Sequence, residues 1–212
     1  MTETTLYDYW RSSASYRVRI ALNLAGIDYR AVSVDLVKGD HKSEEHIARN
    51  PQGLVPVLEI DGHSFTQSLA ILDYLNETRN LNLLPEDPAK AAKLRALAHS
   101  VAVDVHPVCN LGVVAHVSKL VPDHPEAKVD WMKHFISTGL RAFEGMLAEF
   151  AQDPFCSGAA PTLADICLMP QLYNAHRWGV DFSDCPRIQS IEAACAQHPA
   201  FAAAYPDAVK PS

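Results

Sequence analysis

No cysteine occurs in the first 108 residues of this 212-residue chain, so any thiol chemistry there needs a sulfur from a bound molecule. The five cysteines, Cys109, Cys156, Cys167, Cys185 and Cys195, all come later, and none stands in C-x-x-C spacing. An odd count of that kind is expected to be free and reduced, as in a cytoplasmic protein. No apolar run approaches the roughly 20 residues that span a bilayer, so no membrane partner is expected. The start, Met1-Thr2-Glu3-Thr4-Thr5, lacks the basic stretch and apolar segment of a secretory leader. Positive charge is also short: 18 Lys and Arg against 25 Asp and Glu leave a net charge of −7. That balance argues against general nucleic-acid binding, which needs a basic surface to displace counterions. It leaves room for a small anion, because one local cluster of arginines overrides a mildly negative whole-molecule field.

What is present falls into two parts. Thr5 to Tyr9 is β-prone and leads through a polar turn into a helix, where Val18, Ala21, Leu22 and Ala25 form one apolar face and Gly26 is a stop. Tyr29 to Val34 reads as a second strand, and 36–50 as polar and weakly helical. Val55 to Ile60, then Asp61-Gly62, then His63 to Phe65 is a hairpin pattern, followed by a helix from Leu69 to Thr78. Leu83 to Pro88, with two prolines and no periodicity, is the linker candidate. Beyond it the pattern is helical. Val129, Met132, Ile136, Leu140, Phe143, Leu147 and Phe150 line a long amphipathic stretch, with Phe143 and Phe150 expected in the core. Thr162 and Asp165 stand at capping-box spacing, which makes Asp165 a structural acid. The fold class that follows is an α/β N-terminal domain at 1–82, a linker at 83–90 and an all-α C-terminal domain at 91–212.

Three stretches could carry chemistry. Arg11-Ser12-Ser13-Ala14-Ser15 precedes the first helix, where unpaired N–H groups and a partial positive charge would favour a thiolate or carboxylate; a plain serine cap is the competing reading. In Asn50-Pro51-Gln52-Gly53-Leu54-Val55-Pro56, a cis bond before Pro56 would turn the Val55 backbone outward, and a trans proline at a strand edge is equally open. Gln67-Ser68 stands before another helix as a candidate carboxylate site, with Ser68 as an ordinary N-cap the default. His41 and His46, with Glu44 and Glu45, do not share a helix face, so a solvated surface is expected there and no metal site.

In this order, on a β-α-β-α-β-β-α frame, the three stretches resemble the thioredoxin-like glutathione-binding domain of cytosolic glutathione transferases, and the helical remainder resembles their second domain. The run from Ser12 to Leu22 is similar to the zeta-class pattern S-S-C-x-W-R-V-R-I-A-L. Asn50 to Pro56, Gln67 to Ile71, Asp104-Val105-His106-Pro107 and Arg177-Trp178-Gly179-Val180-Asp181 are similar to its later motifs. The resemblance implies glutathione as cofactor, a homodimer, and cis–trans isomerisation of maleylacetoacetate or maleylpyruvate. It implies Ser12 and Ser13 at the glutathione sulfur, Val55 on its peptide backbone, Gln67 and Ser68 on its γ-glutamyl carboxylate, and His41 and Gln52 at its glycyl end. It also implies that Asp104, His106 and Asn110 reach the ligand across the dimer interface. Two positions depart from the pattern: Ala14 stands where cysteine is usual, and Asn110-Leu111-Gly112 lacks the arginine of N-L-R.

Isomerising a cis double bond needs a transient single bond, which a soft thiolate supplies by adding and leaving. A free thiol near pKa ~8.5 is mostly protonated at neutral pH, so the helix start and the Ser12 hydroxyl must favour the thiolate. Arg11 and Arg177 are the candidates to hold the carboxylates of a dianionic substrate; for Arg177 a surface residue at a helix C-terminus is the competing reading. A general transferase acting on α-halo acids and a non-catalytic binding module are the alternatives. The missing arginine at Gly112 tilts the substrate expectation towards maleylacetoacetate.

Overall fold

The computed structural model describes residues 3–211, so Met1, Thr2 and Ser212, including part of the N-terminal stretch read above as lacking a leader, lie outside the described residues. The chain parts into two compact units, one from residue 3 to Asn82 joined by the segment from His198 onward, the other Leu83–Gln197.

The first unit is built on β1 (Thr5–Asp8), α1 (Ser13–Leu24), β2 (Arg30–Ser33), α2 (Glu44–Arg49), β3 (Val57–Ile60), β4 (His63–Thr66) and α3 (Ser68–Arg79). Its sheet order is β2-β1-β3-β4. β1 and β2 pair in parallel because α1 carries the chain back across the sheet, while β3 runs antiparallel to β1 and β4. All four residues of β1 are buried, as a central strand requires. Asp61 and Gly62 turn the β3–β4 hairpin with φ 53° and 79°, the double positive φ that a tight two-residue turn demands. Asp61 is then tied to α3 by the Tyr74 hydroxyl at 2.6 Å and by Arg79 at 2.5 Å.

Nine residues of α1 are buried, two of them arginines. Each guanidinium nitrogen of Arg19 has a partner: Nη1 donates to both Asp8 oxygens at 2.9 and 2.7 Å, Nη2 to the Trp10 carbonyl at 2.9 Å and Nε to the Ala204 carbonyl at 3.1 Å. This one side chain fastens the end of β1 and the C-terminal segment to α1. Asn23 adds a bond to the Ala200 carbonyl at 2.9 Å, and Lys210 lies 5.3 Å from the Trp10 ring centre.

The second unit is all helical. Asp87 caps α4 (Pro88–His99) through Lys90 N–H at 2.8 Å, with Pro88 where a helix tolerates it best. A π-helical turn, Ser100–Val105, follows, then α5 (Leu111–Leu120), α6 (Ala127–Met146), α7 (Leu163–Trp178) and α8 (Pro186–Gln197). α9 (Pro199–Ala204) belongs to the first unit. Met132, Ile136, Leu140 and Phe143 are buried along α6 and Leu147 just past its end, but Phe150 is only half-buried. The helix ends at Met146, four residues before Phe150, so the periodicity that would turn Phe150 inward is lost. Gly139 in α6 lets the π-helical turn approach: a Cβ there would fall 2.2 Å from Val105 Cγ2. All five cysteines are buried and free.

Candidate active site

The turn between β1 and α1 holds Arg11, Ser12 and Ser13. Ser12 is the N-cap of α1: its backbone is extended, its Oγ accepts from Ser15 N–H at 3.3 Å, and its own N–H donates to the Tyr9 carbonyl at 2.8 Å. Capping does not exhaust the hydroxyl, because an oxygen that accepts a bond still has its proton to donate. Ser13 is the first helical residue and is buried. The first turn of α1 carries no acid, so its partial positive charge is not cancelled from within. Arg11 is half-buried, with its guanidinium 5.2 Å from the Trp10 ring centre and Nη2 donating to the Tyr9 hydroxyl at 3.3 Å. Among the described residues no carboxylate forms an ion pair with it. Ala14, half-buried in the same first turn, brings no thiol.

The second group lies on the approach to β3. The Val55–Pro56 bond is cis. Val55 precedes the ladder, which begins at Val57, and packs half-buried beside Tyr7, Val34 and Val57. Two buried side chains hold the Leu54 carbonyl ahead of it: Asn50 Nδ2 and His46 Nε2, each at 2.9 Å. The His46 proton is assigned to Nε2, since only a donor suits a carbonyl oxygen. His46 is thus not the solvated surface residue expected from its charged neighbours. It is 2% exposed, because it faces the loop and not the water that Glu44 and Glu45 face.

Gln52 N–H donates to Asn50 Oδ1 at 3.1 Å. Gly53, at φ 61°, has the His41 carbonyl and Ile47 Cδ1 each 3.1 Å from where a Cβ would stand, so its lack of a side chain is what brings the His41 and Gln52 stretches together. His41 Nδ1 is buried with no hydrogen-bond partner among the described residues. Burial first, then Lys42 and His46, pull the His41 pKa below its ordinary value.

Gln67 has φ 66° and ψ 109°, a backbone region that costs a non-glycine residue about 1–3 kcal/mol. Its Nε2 donates to Gln52 Oε1 at 2.7 Å, so the two glutamines meet across the loop. This conformation starts α3 one residue earlier than expected. Gln67 takes the cap position without a side-chain cap bond, and Ser68 is the first helical residue, not the N-cap. Ser68 Oγ, buried, accepts from Arg17 Nη1 at 3.1 Å. The α3 start, like that of α1, has no acid in its first turn.

In the second unit, Asp104 is exposed on the π-helical turn, which the His106 N–H closes onto the Val101 carbonyl at 3.0 Å. His106 is half-buried, and Asn110 caps α5 by accepting from Val113 N–H at 2.9 Å, which leaves its amide N–H groups for other partners. Arg177 is exposed in the last turn of α7, its guanidinium 5.1 Å from the Trp178 ring centre. A cation there is favourable at a helix C-terminus whatever else it does.

The model of the glutathione S-transferase N-terminal domain matches residues 2–77. A maleylacetoacetate isomerase of Rhizobium meliloti (strain 1021) is 58% identical over 210 residues, covering 99% of each chain. The chain belongs to the maleylacetoacetate isomerase family of zeta-class glutathione transferases. Solved structures of this family superpose closely on it. A holo maleyl pyruvate isomerase, a bacterial zeta-class protein, has a TM-score of 0.92 at 38% identity, covering 98% of this chain and 99% of that one. A maleylacetoacetate isomerase of Anaeromyxobacter dehalogenans 2CP-1, solved with dicarboxyethyl glutathione and citrate in its active site, has a TM-score of 0.85 at 38% identity, covering 98% and 93%. The thioredoxin-like α/β part and the all-α part are those of the glutathione transferase fold.

Proposed function

We propose that this chain is a glutathione-dependent cis–trans isomerase that converts a small maleyl dicarboxylate, maleylacetoacetate or maleylpyruvate, to its fumaryl isomer. The observation that carries this reading is the start of α1: a capped helix with no acid in its first turn, an available serine hydroxyl, and no cysteine within the first 108 residues. Such a site stabilises a thiolate and cannot supply one. The dicarboxyethyl glutathione in the Anaeromyxobacter relative is the kind of molecule that forms when a thiol adds across a butenedioic acid.

The residues present fit glutathione by their donor chemistry. When bound, glutathione supplies the sulfur nucleophile that adds to the conjugated alkene and departs after rotation. Ser12 donates its hydroxyl proton to that sulfur, and the α1 start adds its partial charge. Val55 offers backbone N–H and C=O to the cysteinyl peptide, as an added strand would be paired. Gln67, Ser68 and the open start of α3 hold the γ-glutamyl carboxylate. His41, whose buried Nδ1 lacks a partner among the described residues, lines the glycyl end with Gln52. Arg11, stacked on Trp10 and outside any ion pair among the described residues, holds a substrate carboxylate beside the sulfur. Arg177 takes the second carboxylate. The working state is a homodimer in which Asp104, His106 and Asn110 face glutathione across the interface. Five free cysteines fit a reducing, cytoplasmic setting, and among the described residues no helix is long and apolar enough to cross a membrane.

The test is turnover of each maleyl substrate with and without glutathione. Isomerisation is expected only with glutathione, and Arg11→Ala and Arg177→Ala should slow it while glutathione binding persists. Undiminished turnover in thiol-free buffer would overturn the reading.

A further inference from the structure

α1 buries a second arginine against α3. Arg17 is 3% exposed and lies four residues after Ser13, one turn deeper on the same face. Its Nη1 donates to Ser68 Oγ at 3.1 Å, a bond between two buried groups. A serine hydroxyl has one proton to give and lone pairs to receive, whereas a guanidinium can only give. With an arginine N–H on its oxygen, Ser68 cannot turn its proton towards Arg17. The proton is left to point elsewhere, at a helix start that also presents Gln67 and uncapped backbone N–H groups. A permanently charged donor on the oxygen also polarises the O–H and makes it a stronger donor in its turn. Packing alone would not select this residue, since a buried guanidinium carries a desolvation cost that an aliphatic side chain avoids.

We propose that Arg17 is a positioning residue for the γ-glutamyl carboxylate of glutathione: it fixes the Ser68 hydroxyl as a donor and sets a permanent positive charge behind the anion, without touching the ligand. This rests on the reading of Ser68 as a holder of that carboxylate. Arg17 is therefore predicted to act on one carboxylate of the ligand and on nothing else in it.

The experiment is calorimetric titration of the folded protein with glutathione and with 4-aminobutyryl-cysteinylglycine, which lacks only that carboxylate. The quantity read is the ratio of the two dissociation constants. In the wild type a ratio of about 100 is expected, the worth of two charge-assisted hydrogen bonds. In Arg17→Met the ratio should fall about tenfold, through weaker glutathione binding alone, with the analogue's affinity unchanged. Arg17→Lys, which keeps the charge and loses the planar fork, should lie between the two. Should Arg17→Met not fold, Arg17→Gln, neutral and polar, carries the same expectation. An equal loss for both ligands, or no loss for either, would show Arg17 to be a packing residue and overturn the proposal while leaving Ser68 in place. A wild-type ratio near 1 would instead remove the Ser68 reading, and the proposal with it.

Discussion

At the start of α7 the chain turns its own carboxylate onto the helix. Asp165 accepts from Cys156 N–H at 2.8 Å, Thr162 N–H at 2.7 Å and the Thr162 hydroxyl at 2.6 Å, and it is fully buried. At the start of α1 there is no acid, only the Ser12 oxygen on one N–H. The positive end of a helix attracts an anion in either case. At α7 the sequence supplies that anion and the helix start becomes a closed joint of the core; at α1 it supplies none. The thiols follow the same division. Cys156 and Cys195 sit beside Asp165, where burial and then the neighbouring carboxylate push both thiols up, and burial lifts Cys109 to about 11. These three thiols are thus kept protonated, and no cysteine stands at the start of α1, where a thiolate would be favoured.

The sharpest way to break this contrast is to open the closed joint. Asp165→Ala strands three donors in the core and should cost about 3–5 kcal/mol, as removal of one partner from a buried charged network does. For a chain of this size that lowers the melting temperature by about 10 °C, read by circular dichroism. A change within a degree would mean that the carboxylate is not structural. The next test acts on the open start. Ser12→Ala removes a cap bond and should cost only ~1 kcal/mol of stability. It should lower isomerase turnover about a hundredfold, the usual loss for one donor to a reacting anion. The pKa of bound glutathione, followed by thiolate absorbance against pH, should rise towards its free value near ~8.5. If the loss in turnover merely tracks the loss in melting temperature, Ser12 is a cap and nothing more.

Much of this was legible because it is local. Asp61-Gly62 announces its turn by composition, Gly26 marks the end of α1, and the spacing of Thr162 and Asp165 alone predicts the carboxylate that the core contains. What escaped depends on partners distant in the chain. His46 reads as solvated beside Glu44 and Glu45, yet the Leu54 carbonyl draws it inward. The Val55–Pro56 isomer could not be read, because trans is favoured by only about 0.5–1 kcal/mol before proline and the surrounding loop decides. Arg17 did leave a signal: it precedes Ala21 by four residues, on the face that α1 buries, and a charge on such a face calls for a partner. That partner is 51 residues away. The conformation of Gln67 left no signal at all, since nothing in glutamine favours positive φ.

Gln67 also supplies the smallest test, and it separates the two kinds of helix start most finely. A start built only for stability would place glycine or asparagine at φ 66°, not a glutamine that strains the backbone there. Gln67→Gly should relieve that strain, worth about 1–3 kcal/mol, against a loss of up to ~1 kcal/mol from the freer unfolded chain. The net expectation is a melting temperature unchanged or raised by a few degrees. The same change removes the amide that reaches Gln52 and is assigned to the γ-glutamyl carboxylate, so glutathione should bind about tenfold more weakly. Opposite signs in the two measurements would identify strain held for a ligand. A lower melting temperature with unaltered glutathione affinity would instead make Gln67 a structural residue, and the start of α3 would then belong with that of α7.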